Sequence, residues 1–331
     1  RWDSTTEFSE STFIASGSTI SIDAGTTIKI PKEIDIVFSG SLEVVGEGIV
    51  TFEPLVEGEK WNGLHFRNAD QQVLQNIKVR GASTGLKIEN SGDVEVTQSE
   101  FTDNDTAIYV VSSDGIRNRQ NKITNTTISD NQTGINVTST GVIVENSKLW
   151  TNTNIGIALN GSTCGGGGQC GYFSELTANK FFGNVSAVVN TAQNLTLKQN
   201  NFSCNNYSLR FGVPMNTNIE SEANNFGVTS TLHVENSSGI TINLASSWFK
   251  SNDEANALIF DAYDDPLRGP INFNLMSSPF LSDSDASSDD DSDGHSLLEE
   301  YVNESCPHLS DSDSDGMSDF DDTYPLDKRY K

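Results

Sequence analysis

The chain has 331 residues, of which 20 are basic and 46 acidic, so its net charge is −26, and 35% of its residues are hydrophobic. So acidic a chain lacks the basic surface that displaces counterions from nucleic-acid phosphates, which argues against a nucleic-acid partner. No run approaches 18 apolar residues, so we expect no membrane span. Because the sequence starts at Arg1 and shows no signal peptide, we expect a secreted chain whose signal peptide has been removed.

The first 58 residues contain short segments of alternating apolar side chains, each placed after a glycine. The clearest of them follow Gly17, Gly25 and Gly40. Alternation with a period of two residues predicts β-strands. We interpret residues 1–58 as irregular opening coils that cap the body, since an open end would expose a row of unpaired backbone groups.

Residues 59–280 repeat a four-residue pattern: a small residue, an apolar one, any residue and a second apolar one. The commonest spacing between repeats is 22 residues, and local insertions account for the longer spacings. Two further apolar columns follow within each repeat, so one repeat supplies three short strands. This predicts an all-β parallel solenoid of about 22 residues per coil, in which each strand pairs with its copy one coil away. The repeats start at Gly63, Gly85, Ala107, Gly134, Gly156, Ser186, Ser208, Thr231 and Ala257.

The variable third position of each repeat is expected to point outward and line a groove. The polar residues at this position that could take part in binding or catalysis are His65, Lys87, Tyr109, Arg210 and His233. Uncharged residues separate them, so they form no continuous basic stripe. Glycoside hydrolysis requires carboxylates clustered on one face, and the sequence shows no such motif. We therefore expect no catalytic residue, and we keep a polysaccharide lyase or glycoside hydrolase as the alternative.

Asparagine is frequent at the expected turns, where stacked side-chain amides can form a hydrogen-bonded ladder. The candidates for this ladder are Asn104, Asn131, Asn184 and Asn206. The same residues fall among Asn-x-Ser/Thr sequons, which are glycosylation acceptors in secreted proteins. An asparagine inside a ladder cannot carry a glycan, so we expect any glycosylation to use a minority of the sites. The sequons are Asn104, Asn125, Asn131, Asn136, Asn160, Asn184, Asn194, Asn201, Asn206, Asn236 and Asn303.

Four cysteines make an even count, which suits an oxidising compartment. Cys164 and Cys170 flank a glycine-rich stretch, and a local disulfide between them is the favoured interpretation. Cys204 lies in the body and Cys306 in the acidic tail. A bridge between these two would pin the tail to the solenoid, but spacing alone leaves open whether they pair or stay free.

The C-terminal segment, residues 281–331, contains 13 of the aspartates and two Asp-x-Asp-x-Asp-Gly frames. Each frame starts a twelve-residue loop of the kind that wraps oxygen ligands around Ca²⁺, with glycine at position 6 for the sharp turn. We expect about two bound Ca²⁺ ions. The first loop offers Asp289, Asp291, Asp293, the position-7 residue His295 and Glu300, while its position 9 is Leu297. The second loop offers Asp311, Asp313, Asp315, the position-7 residue Met317, Asp319 and Asp322.

Two resemblances support this division of the chain into three parts, residues 1–58, 59–280 and 281–331. The run from Thr12 to Phe66, including Trp61-x-Gly63-Leu64-x-Phe66, resembles the opening of secreted, pectate-lyase-like right-handed parallel β-helix proteins. That resemblance implies a right-handed solenoid and says little about activity. The tail, with Glu299-Glu300-Tyr301 and Pro325-Leu326-Asp327, resembles thrombospondin type 3-like repeats of secreted microbial proteins, which implies calcium binding.

Taken together, these patterns predict an extracellular or cell-surface calcium-binding protein with a structural or adhesive role. A stiff solenoid with a calcium-dependent tail suits self-association into a layer or filament, because head-to-tail contacts that do not close produce open assemblies. Cell-surface glycans are possible partners. A module that binds or cleaves polysaccharide is the alternative.

Overall fold

The computed structural model describes residues 1–113, 120–161, 172–191, 193–212 and 218–329. These residues form an all-parallel β-solenoid of about 10 turns with about 24 residues per turn, followed by short helices near the C-terminus. The predicted parallel β-helix is therefore confirmed. The mean turn is longer than the 22-residue repeat because several coils carry insertions.

Three long parallel sheets run along the solenoid. Within the described residues the largest, here called the long sheet, contains β1 (Thr12–Ile14), β4 (Asp35–Phe38), β7 (Gly63–Arg67), β10 (Thr84–Glu89), β13 (Thr106–Val111), β16 (Thr133–Thr138), β19 (Ile155–Asn160), β22 (Ser186–Asn190), β25 (Asn205–Phe211), β28 (Thr229–Asn236) and β30 (Ile259–Phe260). The second, here called the flank sheet, contains β3 (Thr27–Ile30), β6 (Val50–Pro54), β9 (Ile77–Arg80), β12 (Glu100–Thr102), β15 (Thr127–Ser129), β18 (Lys148–Trp150), β21 (Lys180–Phe182), β24 (Asn201–Ser203) and β27 (Asn225–Phe226). The third contains β8 (Val73–Gln75), β11 (Glu95–Thr97), β14 (Asn121–Thr124), β17 (Val142–Glu145), β20 (Phe173–Thr177), β23 (Asn194–Lys198) and β26 (Ile219–Glu222).

The remaining elements of the described chain lie at its two ends. The strand pairs are β2 (Thr19–Asp23) with β5 (Ser41–Val45), and β29 (Ile242–Ser247) with β31 (Ile271–Leu275). The helices are α1 (Asn252–Leu258), α2 (Asp283–Ala286) and α3 (Leu297–Asn303). The first strands pair directly with later ones, as β1 does with β4 and β4 with β7, so the opening coils are continuous with the body.

Alternation along each strand fills the interior with apolar side chains stacked in register. In the flank sheet, Phe181 pairs with Phe202, and Phe202 with Phe226. Their rings stack with centroids 4.9 Å and 5.2 Å apart, and Phe249 extends the stack at 4.6 Å from Phe226. Such offset stacking adds to the free energy gained by burying the rings.

Buried asparagines form the predicted ladder along one edge of the flank sheet. Asn104, Asn131, Asn152 and Asn184 each donate from Nδ2 to the Oδ1 of the next member one coil away, at 2.9–3.1 Å, and Asn205 accepts the last of these bonds. The ladder is confirmed for Asn104, Asn131 and Asn184. Asn206 is not a member, because its neighbour Asn205 takes the inward position and Asn206 is exposed.

The pairing register of β28 shows that one predicted groove residue, His233, does not point outward. His233 was expected to point outward in line with Arg210, but it is fully buried and packs edge-on against Phe226 and Phe249. The pairing of β25 with β28 contains a shift between Asn205 and Tyr207, after which Arg210 pairs with Glu235. This shift moves His233 to the interior, because successive residues of a strand face opposite sides.

The C-terminal segment packs against the outer face of the flank sheet. Leu297 and Tyr301 of α3 form a small apolar cluster with Phe182 and Trp248 of the solenoid. A disulfide joins Cys204 to Cys306, so the pairing that the sequence left open is resolved. The predicted bridge between Cys164 and Cys170 lies outside the described residues.

Candidate metal centre

Two acidic loops of the C-terminal segment each gather three carboxylates. In each group the oxygens lie within 4.8 Å of one another. Like charges at this separation repel, so a cation between them would stabilise both loops. Within the part of the chain that the structure describes, these are the groups of three or more potential metal ligands, namely Asp289, Asp291 and Asp293 in the first loop and Asp311, Asp313 and Asp315 in the second.

The two loops share one backbone design. In the first, the Gly294 amide donates to Asp289 Oδ2 at 3.1 Å, and in the second the Gly316 amide donates to Asp311 Oδ2 at 2.9 Å. Both glycines have positive φ, at 108° and 95°, a conformation that disfavours side chains. The glycine therefore lets the chain fold back over the carboxylate at position 1, as the sequence pattern predicts.

Helix α3 brings the position-12 carboxylate of the first loop to the aspartates. Ser296 and Glu299 form a capping box that begins the helix, which places Glu300 on the buried side one turn later. Glu300 is fully buried, and neither of its carboxylate oxygens has a hydrogen-bond partner among the described residues. Burial, followed by the charges of Asp291 and Asp293, raises its pKa to about 9. A buried carboxylate without a partner is costly unless a cation or a proton accompanies it.

Position 9 of the first loop adds no oxygen ligand, as its sequence predicts. Leu297 at this position is fully buried in the apolar cluster against the solenoid. At position 7, the His295 amide donates to Asp293 Oδ1 at 2.7 Å. The ligand expected from this position is the His295 backbone carbonyl.

In the second loop the later candidates are already held by protein hydrogen bonds. Asp319 accepts from the amide and hydroxyl of Ser312, and Asp322 Oδ1 accepts from the Tyr324 amide at 2.8 Å. Burial raises the pKa of Asp319 above its ordinary value despite these bonds. Asp313 is nearly buried, and its Oδ2 has no hydrogen-bond partner in the described chain.

The two loops lie against each other. The Phe320 ring from the second loop packs 5.2 Å from the His295 ring of the first. The charge of Asp319 contributes to the raised pKa values of both Glu300 and Asp291, although burial is the largest cause for each. Asp291 reaches a pKa of about 6. The C-terminal segment therefore holds one continuous acidic cluster.

Asp290, between two predicted ligands, points the other way and contacts the solenoid. Its carboxylate accepts from Lys148 Nζ at 2.9 Å and from Lys180 Nζ at 2.7 Å. Burial alone would raise the pKa of Asp290, but these two lysines lower it below its ordinary value. The sequence pattern does not predict this contact, because the even positions of the Asp-x-Asp-x-Asp frame supply no ligand to the loop. Lys148 and Lys180 pair in register on neighbouring coils, so both side chains lie on the same face of the flank sheet.

The charged groove residues on the long sheet form ion pairs with glutamates of the same sheet. His65 Nε2 lies 2.8 Å from Glu89, which also pairs with Arg67 at 3.0 Å. Burial, then the charge of Lys87, lowers the pKa of His65, so it is neutral at neutral pH. Arg210 pairs with Glu235 at 2.8 Å.

The sequons divide by exposure. The amides of Asn104, Asn131 and Asn184 are buried in the ladder, and Asn201 and Asn236 are also buried. A glycan on any of these would break the hydrogen bonds of its amide. Half-buried sequons are Asn136, Asn160 and Asn194, and exposed ones are Asn125, Asn206 and Asn303.

A family model described as "Periplasmic copper-binding protein (NosD)" matches residues 42–247, which is more than half of the chain. The chain belongs to the NosD family. No curated protein and no solved structure gives a match. The matched residues make up most of the solenoid, whereas both acidic loops lie beyond residue 247. None of the helices in the described residues is long and apolar enough to cross a membrane.

Copper, which the NosD family name implies, does not fit the ligand groups of the described residues. Copper sites use imidazole, thiolate and thioether ligands, whereas carboxylates suit Ca²⁺, Mg²⁺ and Mn²⁺. No histidine or cysteine belongs to either group of clustered ligands, and Cys204 and Cys306 are bonded to each other. Within these described residues, the clustered donors match a hard cation.

Proposed function

We propose that this NosD-family solenoid is a periplasmic or extracellular calcium-binding protein, and that its C-terminal segment binds about two Ca²⁺ ions. The observation that carries the proposal is Glu300, a fully buried carboxylate with two unpartnered oxygens beside three clustered aspartates. A proton would neutralise Glu300 but leave its oxygens without protein hydrogen-bond partners, whereas a divalent cation would be ligated by all four side chains.

Calcium is the cation that the site's chemistry favours. The donors are carboxylate and backbone oxygens of a twelve-residue loop, and Ca²⁺ accepts six to eight such ligands in variable geometry. Mg²⁺ requires near-ideal octahedral geometry and releases water reluctantly. The family name and the Cys204–Cys306 disulfide support an oxidising compartment outside the cytoplasm, where calcium is available at millimolar concentration.

Isothermal titration of the full chain with CaCl₂, after EDTA treatment, tests this proposal. We expect about two sites in the wild type, loss of the first in Glu300→Gln and loss of the second in Asp313→Asn. Asp321→Asn is the matched control, because this exposed aspartate stands at position 11 of the second loop and should leave both sites intact. Absence of binding at several millimolar calcium, or tighter binding of Cu²⁺ that Glu300→Gln abolishes, would overturn the proposal.

For the solenoid we propose a structural role in which copies self-associate into a surface layer or filament. Support comes from the stack of parallel coils, which suits head-to-tail assembly, and from the net charge of −26, because calcium can reduce repulsion between acidic neighbours. Light scattering and electron microscopy after EDTA treatment and calcium readdition test it. Large particles that disperse and re-form are expected. A monomer of unchanged size in both states would contradict self-association and would favour the polysaccharide-binding alternative.

A further inference from the structure

We infer that cation binding in the first loop and docking of the C-terminal segment on the flank sheet are one coupled process, in which Asp290, Lys148 and Lys180 link the two. This inference rests on the proposed calcium site and concerns its regulation. It predicts that solenoid side chains that never contact the ion control its affinity.

The first link is the alternation of side chains in the first loop. Asp289, Asp291 and Asp293 turn their carboxylates together, while Asp290 turns its carboxylate to Lys148 and Lys180. Asp290 is nearly buried, with 7% of its side chain exposed. A backbone movement at residues 289–291 that separates the clustered carboxylates would therefore also move Asp290 away from its lysines.

The second link is helix α3. It carries Glu300, the buried position-12 carboxylate, next to Tyr301, which packs edge-on against Trp248 of the solenoid at 5.4 Å. Gly227 makes room for this contact, since a Cβ at that position would lie 2.4 Å from the Tyr301 ring. A cation that fixes Glu300 therefore fixes the helix face that docks.

A third set of contacts keeps the segment tethered whatever the loop does. The Cys204–Cys306 disulfide is covalent, and the His308 ring stacks on Phe182 with centroids 6.4 Å apart. Loss of the cation should consequently loosen residues 285–301 without releasing the segment. The segment thus stays covalently joined to the solenoid at Cys306, while docking of the first loop and α3 depends on the cation.

Thermodynamic linkage makes the coupling reciprocal. If calcium strengthens docking, then docking strengthens calcium binding by the same factor. Lys180→Met keeps the length and the apolar stem of the side chain but removes its charge. It should weaken calcium binding at the first loop by roughly 5- to 50-fold, which lies within the usual range of coupling between sites. Binding at the second loop should change much less.

The test compares Lys180→Met with Lys78→Met in the full-length chain. Lys78 occupies the same outward column of the flank sheet on β9, but it pairs with Glu100 at 2.6 Å, within the solenoid. Calcium affinity is measured by isothermal titration, and docking by hydrogen exchange of α3 with and without calcium. We expect weaker affinity and faster α3 exchange in Lys180→Met, and wild-type behaviour in Lys78→Met. Lys148→Met should act in the same direction and serves if Lys180→Met folds poorly.

The outcomes separate this inference from the proposed function. Two normal calcium sites in Lys180→Met and Lys148→Met would overturn the coupling and leave the calcium proposal standing. Calcium binding in the wild type without any change in α3 exchange would also overturn it. A wild type that binds no calcium would overturn the calcium proposal and the coupling with it.

Discussion

The solenoid body and the C-terminal segment achieve order by opposite means. In the body, side chains meet their counterparts one coil away, so apolar stacks run through most of the coils and the asparagine ladder links five of them. The C-terminal segment forms no strand in its described residues, and its apolar contacts centre on Leu297 and Tyr301 against the solenoid. The body therefore depends on its neighbouring coils, whereas the segment depends on a disulfide and on the body itself, and in our proposal also on a cation.

The comparison also shows where charge is tolerated. Outward charges on the body mostly pair within the same sheet, as Glu89 does with Lys87 and Arg67. In the C-terminal segment, burial combines with like charges to raise the pKa values of Asp291 and Glu300. We infer that repetition favours paired charges in the body, while Asp291 and Glu300 keep buried carboxylate oxygens that have no hydrogen-bond partner in the described residues and that a ligand can use.

The largest expected effect comes from opening a cavity in the body. Phe202→Ala removes the middle ring of the Phe181–Phe202–Phe226 stack and should destabilise the protein by about 3–5 kcal/mol, as large-to-small core substitutions do. Urea unfolding monitored by far-UV circular dichroism measures it. Phe320→Ala is the matched control, because that ring is 57% exposed and should cost far less. Equal losses in the two variants would contradict the view that stability resides in the stacked core.

The second effect concerns the covalent link between the two regions. The Cys204–Cys306 disulfide spans 102 residues, and a loop of that length is worth up to about 5 kcal/mol in the chain-entropy treatment. The double variant Cys204→Ser, Cys306→Ser should lose much of this and should expose α3 to proteolysis, while the solenoid stays folded. Protease fragments identified by mass spectrometry provide the measurement. Unfolding of the body at the same denaturant concentration as the tail would show that the two regions are a single cooperative unit.

Much of the body was predictable because its pattern repeats. The period fixed the coils, and asparagines at turns indicated the ladder. Exact register was not predictable: the shift opposite Tyr207 buried His233, and Asn205 rather than Asn206 joined the ladder. Such one- and two-residue shifts depend on tertiary packing, which the local pattern does not specify.

For the candidate site, the sequence predicted ligand spacing but not the surroundings. The Asp-x-Asp-x-Asp-Gly frames and the two glycines with positive φ were readable, as was Glu300 at position 12. The contact of Asp290 with Lys148 and Lys180 could not be predicted from the sequence, because it joins residues more than 100 positions apart in the chain. Contacts between regions without a shared repeat carry no periodic signal.

A medium-sized effect should follow from interrupting the asparagine ladder. Asn152 donates from Nδ2 to Ile128 O at 3.2 Å and to Asn184 Oδ1 at 2.9 Å, and accepts from Asn131. Asn152→Ala leaves these buried groups unpaired, so we expect a loss of about 2–3 kcal/mol in the free energy of unfolding. Asn206→Ala, at an exposed position of β25, should change the free energy of unfolding by less than about 0.5 kcal/mol. Urea titrations of both variants measure the free energy of unfolding. An unchanged value in Asn152→Ala would mean that water replaces the ladder hydrogen bonds without cost.

The last effect is a pH dependence confined to the calcium-free C-terminal segment. Glu300 has a pKa of about 9 in the folded chain, against an ordinary value of 4.5, so between these values the folded state holds a proton that the unfolded state has released. Stability should therefore fall as pH rises through this window, by at most about 1.4 kcal/mol per pH unit. Asp291, with a pKa of about 6, adds the same trend at the acidic end.

Calcium should remove this dependence, because the ion binds the ionised carboxylate and takes the place of the proton. Hydrogen exchange of α3 is measured from pH 5 to 9, in EDTA and in calcium, and corrected for intrinsic exchange rates. It gives the slope of the free energy of α3 unfolding against pH in each condition. Glu300→Gln has no proton to release, so its slope in EDTA should be flatter than that of the wild type, while Asp321→Asn should keep the wild-type slope. A wild-type slope that is the same in EDTA and in calcium would mean that Glu300 does not face the cation, and the C-terminal segment would then owe its order to the disulfide and the solenoid alone.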